Sequence, residues 1–283
     1  MTDVARFEST GGGARRTIAW DALDAGRLGD AGRRAVGATW LERTRQEHLA
    51  VGAFSLLARE LAAAGCDPVV LALVTRAACD EVRHAAICRR FAVALLGEGA
   101  VPGGFRGLPK VPMHAGASAG DRVLFHVVEM CCMSETLTGV YFTEMLARTT
   151  DPVAREAVES LLEDEIDHGR VGWAYLAGRA RDGALGGLAA ALPAMLARTF
   201  APVLDAKPRR RGAAAPTRDD GASAPGRPHD ADDPCLEACA YLGPRAGADV
   251  YRRALRDVIL PGFEALGVDL AAARALVRDR GWA

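Results

Sequence analysis

Two five-residue stretches decide how this chain is read: Asp80-Glu81-Val82-Arg83-His84 and Asp164-Glu165-Ile166-Asp167-His168. Each has the form DE-x-x-H and lies inside an apolar run of helical period. Positions i and i+3 leave a helix from nearly one face, so each Glu–His pair can address one object. Glu81 shares its stripe with Val74, Ala77, Ala78, Ala85 and Cys88, and Glu165 with Val158, Leu161, Leu162, Gly172 and Tyr175. Those carboxylates face inward.

Upstream of each copy stands another acid on an apolar stretch: Glu47 in EHLAVGAF and Glu135 in ETLTGVYF. Each precedes a phenylalanine by seven residues (Phe54, Phe142), and the DE-x-x-H Glu follows 34 residues later in one half and 30 in the other. The halves of the chain therefore repeat. Hairpin arithmetic brings the four acids to one height. Counted from Asp151, Glu135 lies 16 residues before the turn and Glu165 lies 14 after; around Gly65 the counts are 18 for Glu47 and 16 for Glu81. Glu129, the competitor of Glu135, would give 22 against 14, a mismatch of about 12 Å. It is a candidate for an access route or ion path instead.

The rest of the chain frames these helices. Residues 1–34 read as a flexible tail and lead-in, with no apolar period at the start. Over 35–180 the pattern predicts four helices. The first closes at Gly65, and Asp-Pro pairs at 67–68 and 151–152 open the second and fourth. Asp121 is the expected cap of the third, which runs to about Arg148. Residues 181–205 suggest a fifth helix bent or stopped by Pro193 and Pro202. Residues 206–234 read as a disordered linker whose KPRRR run is a solvated stretch, and 235–283 as a helical segment interrupted at Pro261. The fold class is all-α.

Composition excludes several alternatives. Half of the 283 residues are apolar, and 35 basic against 36 acidic side chains leave a net charge of -1, so there is no global basic field for nucleic acid. The longest greasy stretch, 188–204, is short and broken by prolines, which argues against a membrane span. The opening MTDVARFEST lacks the order of a secretory signal, and seven cysteines with adjacent Cys131 and Cys132 fit reduced thiols in a cytoplasm.

Four carboxylates meeting in an apolar core need compensation, because a buried charge costs several kcal/mol even after relaxation and like neighbours raise pKa values. Two divalent cations cancel four carboxylates, and two neutral imidazoles complete the shell. An oxygen-rich donor set of this kind suits iron or manganese better than zinc or copper. The metal ligands are then Glu47, Glu81, His84, Glu135, Glu165 and His168. Asp80 and Asp164 read either as exposed helix residues or as acceptors for the free ring N–H of the opposite hairpin's histidine. Tyr141 and Tyr175 are candidates for electron relay, or simply packed tyrosines. Thr138 could bond oxygen species or its own backbone. His48, His114, His126 and His229 do not repeat between the halves and read as ordinary.

With these residues the chain resembles the ferritin-like superfamily of di-iron carboxylate proteins over roughly residues 37–178. The paired DE-x-x-H is similar to the bacterial multicomponent monooxygenases and the ribonucleotide reductase small subunit, and the Glu135-to-Glu165 spacing to rubrerythrins. The resemblance implies a ferritin-like four-helix bundle with additional C-terminal helices, and two iron ions (or manganese, or one of each) held by the six residues above. It also implies that 97–120 return the chain along the bundle. The implied activity is oxidation of a small molecule with O2 or peroxide, supplied with electrons by a reductase. A ferroxidase or iron-handling role and a metal-stabilised structural bundle are the alternatives. The chain departs from rubrerythrins at Cys132, where they carry an additional carboxylate ligand, and it lacks their Cys-x-x-Cys pairs. A homodimer is the common assembly.

Overall fold

The computed structural model describes residues 17–112, 114–206 and 232–282, and over these the chain is helical with no strand. Helix α1 spans Gly29–Ala63 and buries Val36, Trp40, Phe54, Leu57 and Leu61 along one face. It stops where Gly65 takes φ +67° and the Cys66 amide bonds back to the Leu61 carbonyl, a geometry that suits glycine. Helix α2 spans Pro68–Leu96, with the Asp67 carboxylate accepting the Val69 N–H at 2.7 Å. Helix α3 covers Ala119–Val127, a widened π segment Val128–Glu135, and Thr136–Arg148. Its cap is Ser118, not Asp121: the serine oxygen accepts the Asp121 N–H at 3.1 Å and its hydroxyl donates to the Asp121 carboxylate at 2.8 Å. Helix α4 spans Pro152–Arg181 and starts from Asp151, which accepts the N–H groups of Val153 and Ala154.

These four helices touch in a ring, α1 with α2, α2 with α4, α4 with α3, and α3 with α1. Their directions follow from which residues share a cluster. Phe54, Leu61, Val74, Val123 and Val171 meet at one end, and Trp40, Phe91, Phe142 and Val158 belong to the core at the other. Helices α2 and α3 therefore run the same way, and residues 97–118 span the length of the molecule between them. That crossover lies against α1: a Cβ on Gly52 would come within 2.8 Å of the Pro109 ring, and Phe105 sits 6.3 Å from His48. Only a glycine admits the strand of chain so close.

Helix α5 spans Leu188–Leu204 and keeps both prolines within it; it begins later than 181. A single turn α6, Pro234–Glu237, leads to α7, built of Pro244–Arg253, a second π segment Ala254–Ile259 and Leu260–Ala265. Helix α8 spans Ala271–Arg280. The expected interruption at Pro261 does not occur. The wide turn ahead of it accommodates a residue that has no N–H and whose ring crowds the preceding carbonyl, and the helix ends instead near Gly267 at φ +77°. The C-terminal part is not an appendage. Leu242 and Val250 join the core around Trp40, while Leu255, Phe263 and Trp282 join one formed with α5.

The lead-in also differs from expectation. Ile18, Trp20 and Leu28 are buried, Trp20 lies 5.9 Å from Phe91, and α1 starts before residue 35, so the lead-in is anchored to the core through these side chains. Most of the linker (residues 207–231, with the KPRRR run and His229) and most of the N-terminal tail lie outside the described residues. The longest apolar helix is α3 rather than 188–204. By length and composition it could cross a membrane, yet more than half of its most apolar window is buried inside the protein.

Candidate metal centre

Each long helix delivers one acid to the middle of the ring because that acid occupies an otherwise apolar stripe. On α2 the stripe runs Val74, Ala77, Glu81, His84, Cys88; on α4 it runs Val158, Leu161, Glu165, His168, Gly172; all ten are buried. Glu47 on α1 and Glu135 on α3 are buried as well. The π segment places Glu135 at its end. Its wide turns leave carbonyls that the Ser134 and Thr136 hydroxyls satisfy by donating to Glu129 and Cys131. Helix α4 approaches there so closely that a Cβ on Gly172 would collide with Cys131.

Six side chains form two overlapping groups. Glu47, Glu81, His84 and Glu165 bring one donor atom each within 4.8 Å of the others, and so do Glu81, Glu135, Glu165 and His168. Glu81 and Glu165 belong to both. Glu81 points Oε2 at His84 Nδ1 (3.5 Å) and Oε1 at His168 Nδ1 (3.2 Å). Glu165 does the same with Oε1 (3.3 Å) and Oε2 (3.7 Å). His168 Nδ1 lies 3.9 Å from Glu135, and the imidazoles are 5.7 Å apart. The arrangement is two terminal acids, two shared acids and one imidazole per position.

A second layer holds this one. Asp164 Oδ2 lies 3.2 Å from His84 Nε2, and Asp80 Oδ2 lies 3.6 Å from His168 Nε2, each across to the opposite hairpin. The buried Arg83 pairs with Asp164 and donates to the Ser160 hydroxyl (2.8 Å) and carbonyl (3.1 Å). Arg76 reaches both aspartates, Asp80 at 3.4 Å and Asp164 at 3.6 Å. Arg43 stands 3.7 Å from Glu47 with its guanidinium over the Phe142 ring at 4.5 Å. The sequence reading did not single out these three arginines. Their signal was present: Arg76 and Arg83 fall one turn to either side of Asp80, and Arg43 one turn before Glu47.

The protonation pattern follows from burial and from the six charges themselves. Burial and the neighbouring Glu81 and Glu165 push the Glu47 carboxyl well above the usual range, and the same causes raise Glu135. Burial opposes ionisation of Glu81 and Glu165 too, but the facing imidazoles of His168 and His84 overcome it and lower both. His84 resists burial through Glu165 and Glu81 and is pushed up to about 9; His168, with Asp80 as well, is pushed up to about 12. Two neutral acids, two carboxylates and two imidazolium ions sum to zero. Two divalent cations with four carboxylates and two neutral imidazoles also sum to zero.

The donor set fits such cations on a second ground. Glu81 Oε2, Glu165 Oε2 and Nδ1 of both histidines are buried without a hydrogen-bond partner, a rare and costly condition in a folded core. All four point at the shared interior. These buried Glu and His groups could hold metal.

The other candidates lie elsewhere. Glu129 is taken by Arg198, at 2.6 and 3.0 Å, and by His114. His126 bonds Glu60 at 2.6 Å. Tyr141 stacks behind Arg43, and Tyr175 borders a cavity at the Gly65 end of the molecule. Beside the centre is a cavity of about 340 Å³ bounded by Glu135 and Glu165, with Thr136 rather than Thr138 on its wall. All seven cysteines are free thiols. No family model, curated protein or solved structure matches this chain.

Proposed function

We propose that this chain is a ferritin-like di-metal protein, with two iron ions (or manganese, or one of each), that uses O2 or peroxide to oxidise a small molecule. One observation carries the reading: two buried donor groups that share Glu81 and Glu165 and each end in their own acid and imidazole. The bound pair would supply the electrons that O2 chemistry requires. The chain supplies everything around it. Glu81 and Glu165, which belong to both donor groups, would hold both ions, and Glu47 and Glu135 would each hold one. Asp164 is placed to accept the Nε2–H of His84, which would turn its basic Nδ1 inward and fix the tautomer, and Asp80 faces Nε2 of His168 from 3.6 Å, favouring the same orientation there. Phe54, edge-on 5.2 Å from His168, helps keep water out. Reductant from a partner protein and work in a reducing cytoplasm, in keeping with the free thiols, belong to the same reading.

A cavity opening onto Glu135 and Glu165 favours a reactive centre over a closed structural one. The test is to purify the protein, count metals by elemental analysis, reduce it and follow O2 uptake with an electrode. About two metals per chain and uptake in proportion to them are expected. Metal without O2 uptake would turn the reading to the structural alternative, and assembly into large shells on sizing chromatography would turn it to iron storage.

A further inference from the structure

At the Gly65 end of the bundle, α1 and α4 stop and α2 and α3 begin, and side chains do not fill the space between them. Ala63, Gly65, Ala119, Gly120 and Gly178 stand there, each with at most one carbon beyond the backbone, and a cavity of about 910 Å³ remains. That is near the upper end for small-molecule pockets. Val70, Val123 and Ala174 give it apolar walls and Tyr175 an aromatic one. None of the six metal-centre residues borders it.

Four arginines from three helices line this cavity: Arg59 of α1, Arg122 of α3, and Arg179 and Arg181 of α4. Among the described residues, the guanidinium groups of Arg59, Arg122 and Arg181 have no ion-pair or hydrogen-bond partner. Arg179 donates its Nε–H to the Ala184 carbonyl at 3.1 Å, which steadies it and leaves its outer nitrogens free. Three acids also line the cavity, but Glu60 is turned to His126 at 2.6 Å and Asp67 accepts the Val69 N–H at 2.7 Å. Asp182 is the remaining counter-charge. Helix electrostatics account for only part of this crowd. Arg179 and Arg181 sit in the last turn of α4, where the dipole favours a cation. Arg122 sits at the start of α3, where it disfavours one. An unpaired cation against the local rule, beside three others, is the kind of departure that function explains.

We propose that this arginine-lined cavity binds a small organic phosphate of about nucleotide size, its phosphate on the guanidinium groups and its apolar body against Tyr175 and the neighbouring walls. Planar guanidinium forks match phosphate oxygens in pairs, and these arginines have donors to spare. The binding is independent of the di-metal reading, since the two sites share no residue.

Titration calorimetry on the metal-loaded protein with ADP, pyrophosphate and adenosine separates the contributions. ADP and pyrophosphate should bind, ADP the tighter, and adenosine at least tenfold more weakly than ADP. Arg122→Gln should weaken pyrophosphate by about tenfold or more, and Arg122→Lys, which keeps the charge without the fork, by less. Arg278→Gln, on the exposed face of α8, should change nothing. Without ligand, Arg122→Gln should melt no lower than wild type, because it relieves a misplaced charge; a clearly lower melting temperature would make Arg122 structural and overturn its role. Tyr175→Leu should weaken ADP and spare pyrophosphate. Absence of pyrophosphate binding, adenosine binding as tightly as ADP, or equal pyrophosphate affinity in wild type and Arg122→Gln overturns the site. That last result is also the one expected if pyrophosphate merely chelated the bound metal. Equal affinities for ADP and pyrophosphate overturn the part given to Tyr175.

Discussion

Loading the centre with two divalent cations expels protons, and the surroundings of each side chain set how many. Without metal, Glu47 and Glu135 keep theirs, because burial and the charges of Glu81 and Glu165 raise both carboxyls well above the ordinary range. His84 and His168, pushed up to about 9 and about 12, each carry an extra proton at neutral pH. Ligation needs all four acids ionised and both imidazoles neutral, so two cations replace about four protons. The product of the two association constants should then rise about 10⁴-fold per pH unit near neutrality. Above about pH 9 His84 sheds its proton unaided and the count falls to about three. Calorimetric titration of metal-free protein with Mn(II), repeated in buffers of different ionisation enthalpy, counts the protons released. A count near zero would refute the charge balance, because it would mean that the acids were already ionised and the imidazoles already neutral.

Other consequences are separable from that one. The pH dependence of stability should differ between the two forms: His84 rises from 6.5 to about 9, so its paired charge stabilises the metal-free fold fully below about pH 6.5 and is lost as pH climbs through about 9. That difference is worth up to about 3 kcal/mol and should show as a falling melting temperature that metal-loaded protein lacks. Glu135→Ala should remove metal on elemental analysis, whereas Glu129→Ala, which loses only the Arg198 and His114 contacts, should retain it. Asp164→Asn should weaken metal binding about 10- to 100-fold by competition assay, since it breaks both the His84 contact and the Arg83 pair. Gly172→Val should cost about 1–3 kcal/mol in chemical denaturation because it drives α4 off Cys131.

How much of this was legible in the sequence depends on whether local chemistry or packing decides. The helices and their hairpin turns were legible at Gly65, Asp67-Pro68 and Asp151-Pro152, where a glycine conformation or a cap acts within a few residues. The meeting of Glu47, Glu81, Glu135 and Glu165 was legible because repeated spacing and the height rule both operate within hairpins. The length of the 97–118 connection allowed either a reversal or a crossover, and only packing against Gly52 and His48 chose the second. Ser118 outranked Asp121 as a cap by one turn, since both have the chemistry and the start of the helix is set by Val123 and Val127 entering the core. The π segments at 128–135 and 254–259 have no local signature. The first lies where α4 approaches Cys131 too closely for a Cβ on Gly172, and the second directly precedes the turn that carries Pro261. Arg76 and Arg83 were readable as neighbours of Asp80 but not as a clamp across two hairpins, because that needs the contact between α2 and α4.

The central claim, that the core is acidic because it is built around two cations, is tested most directly by anomalous diffraction from crystals of the protein loaded with iron or manganese. Two peaks per chain are predicted, both between Glu81 and Glu165, one beside His84 Nδ1 with Glu47 and one beside His168 Nδ1 with Glu135. A single peak, peaks at other side chains such as Glu129 and His114, or no peak at all would contradict it.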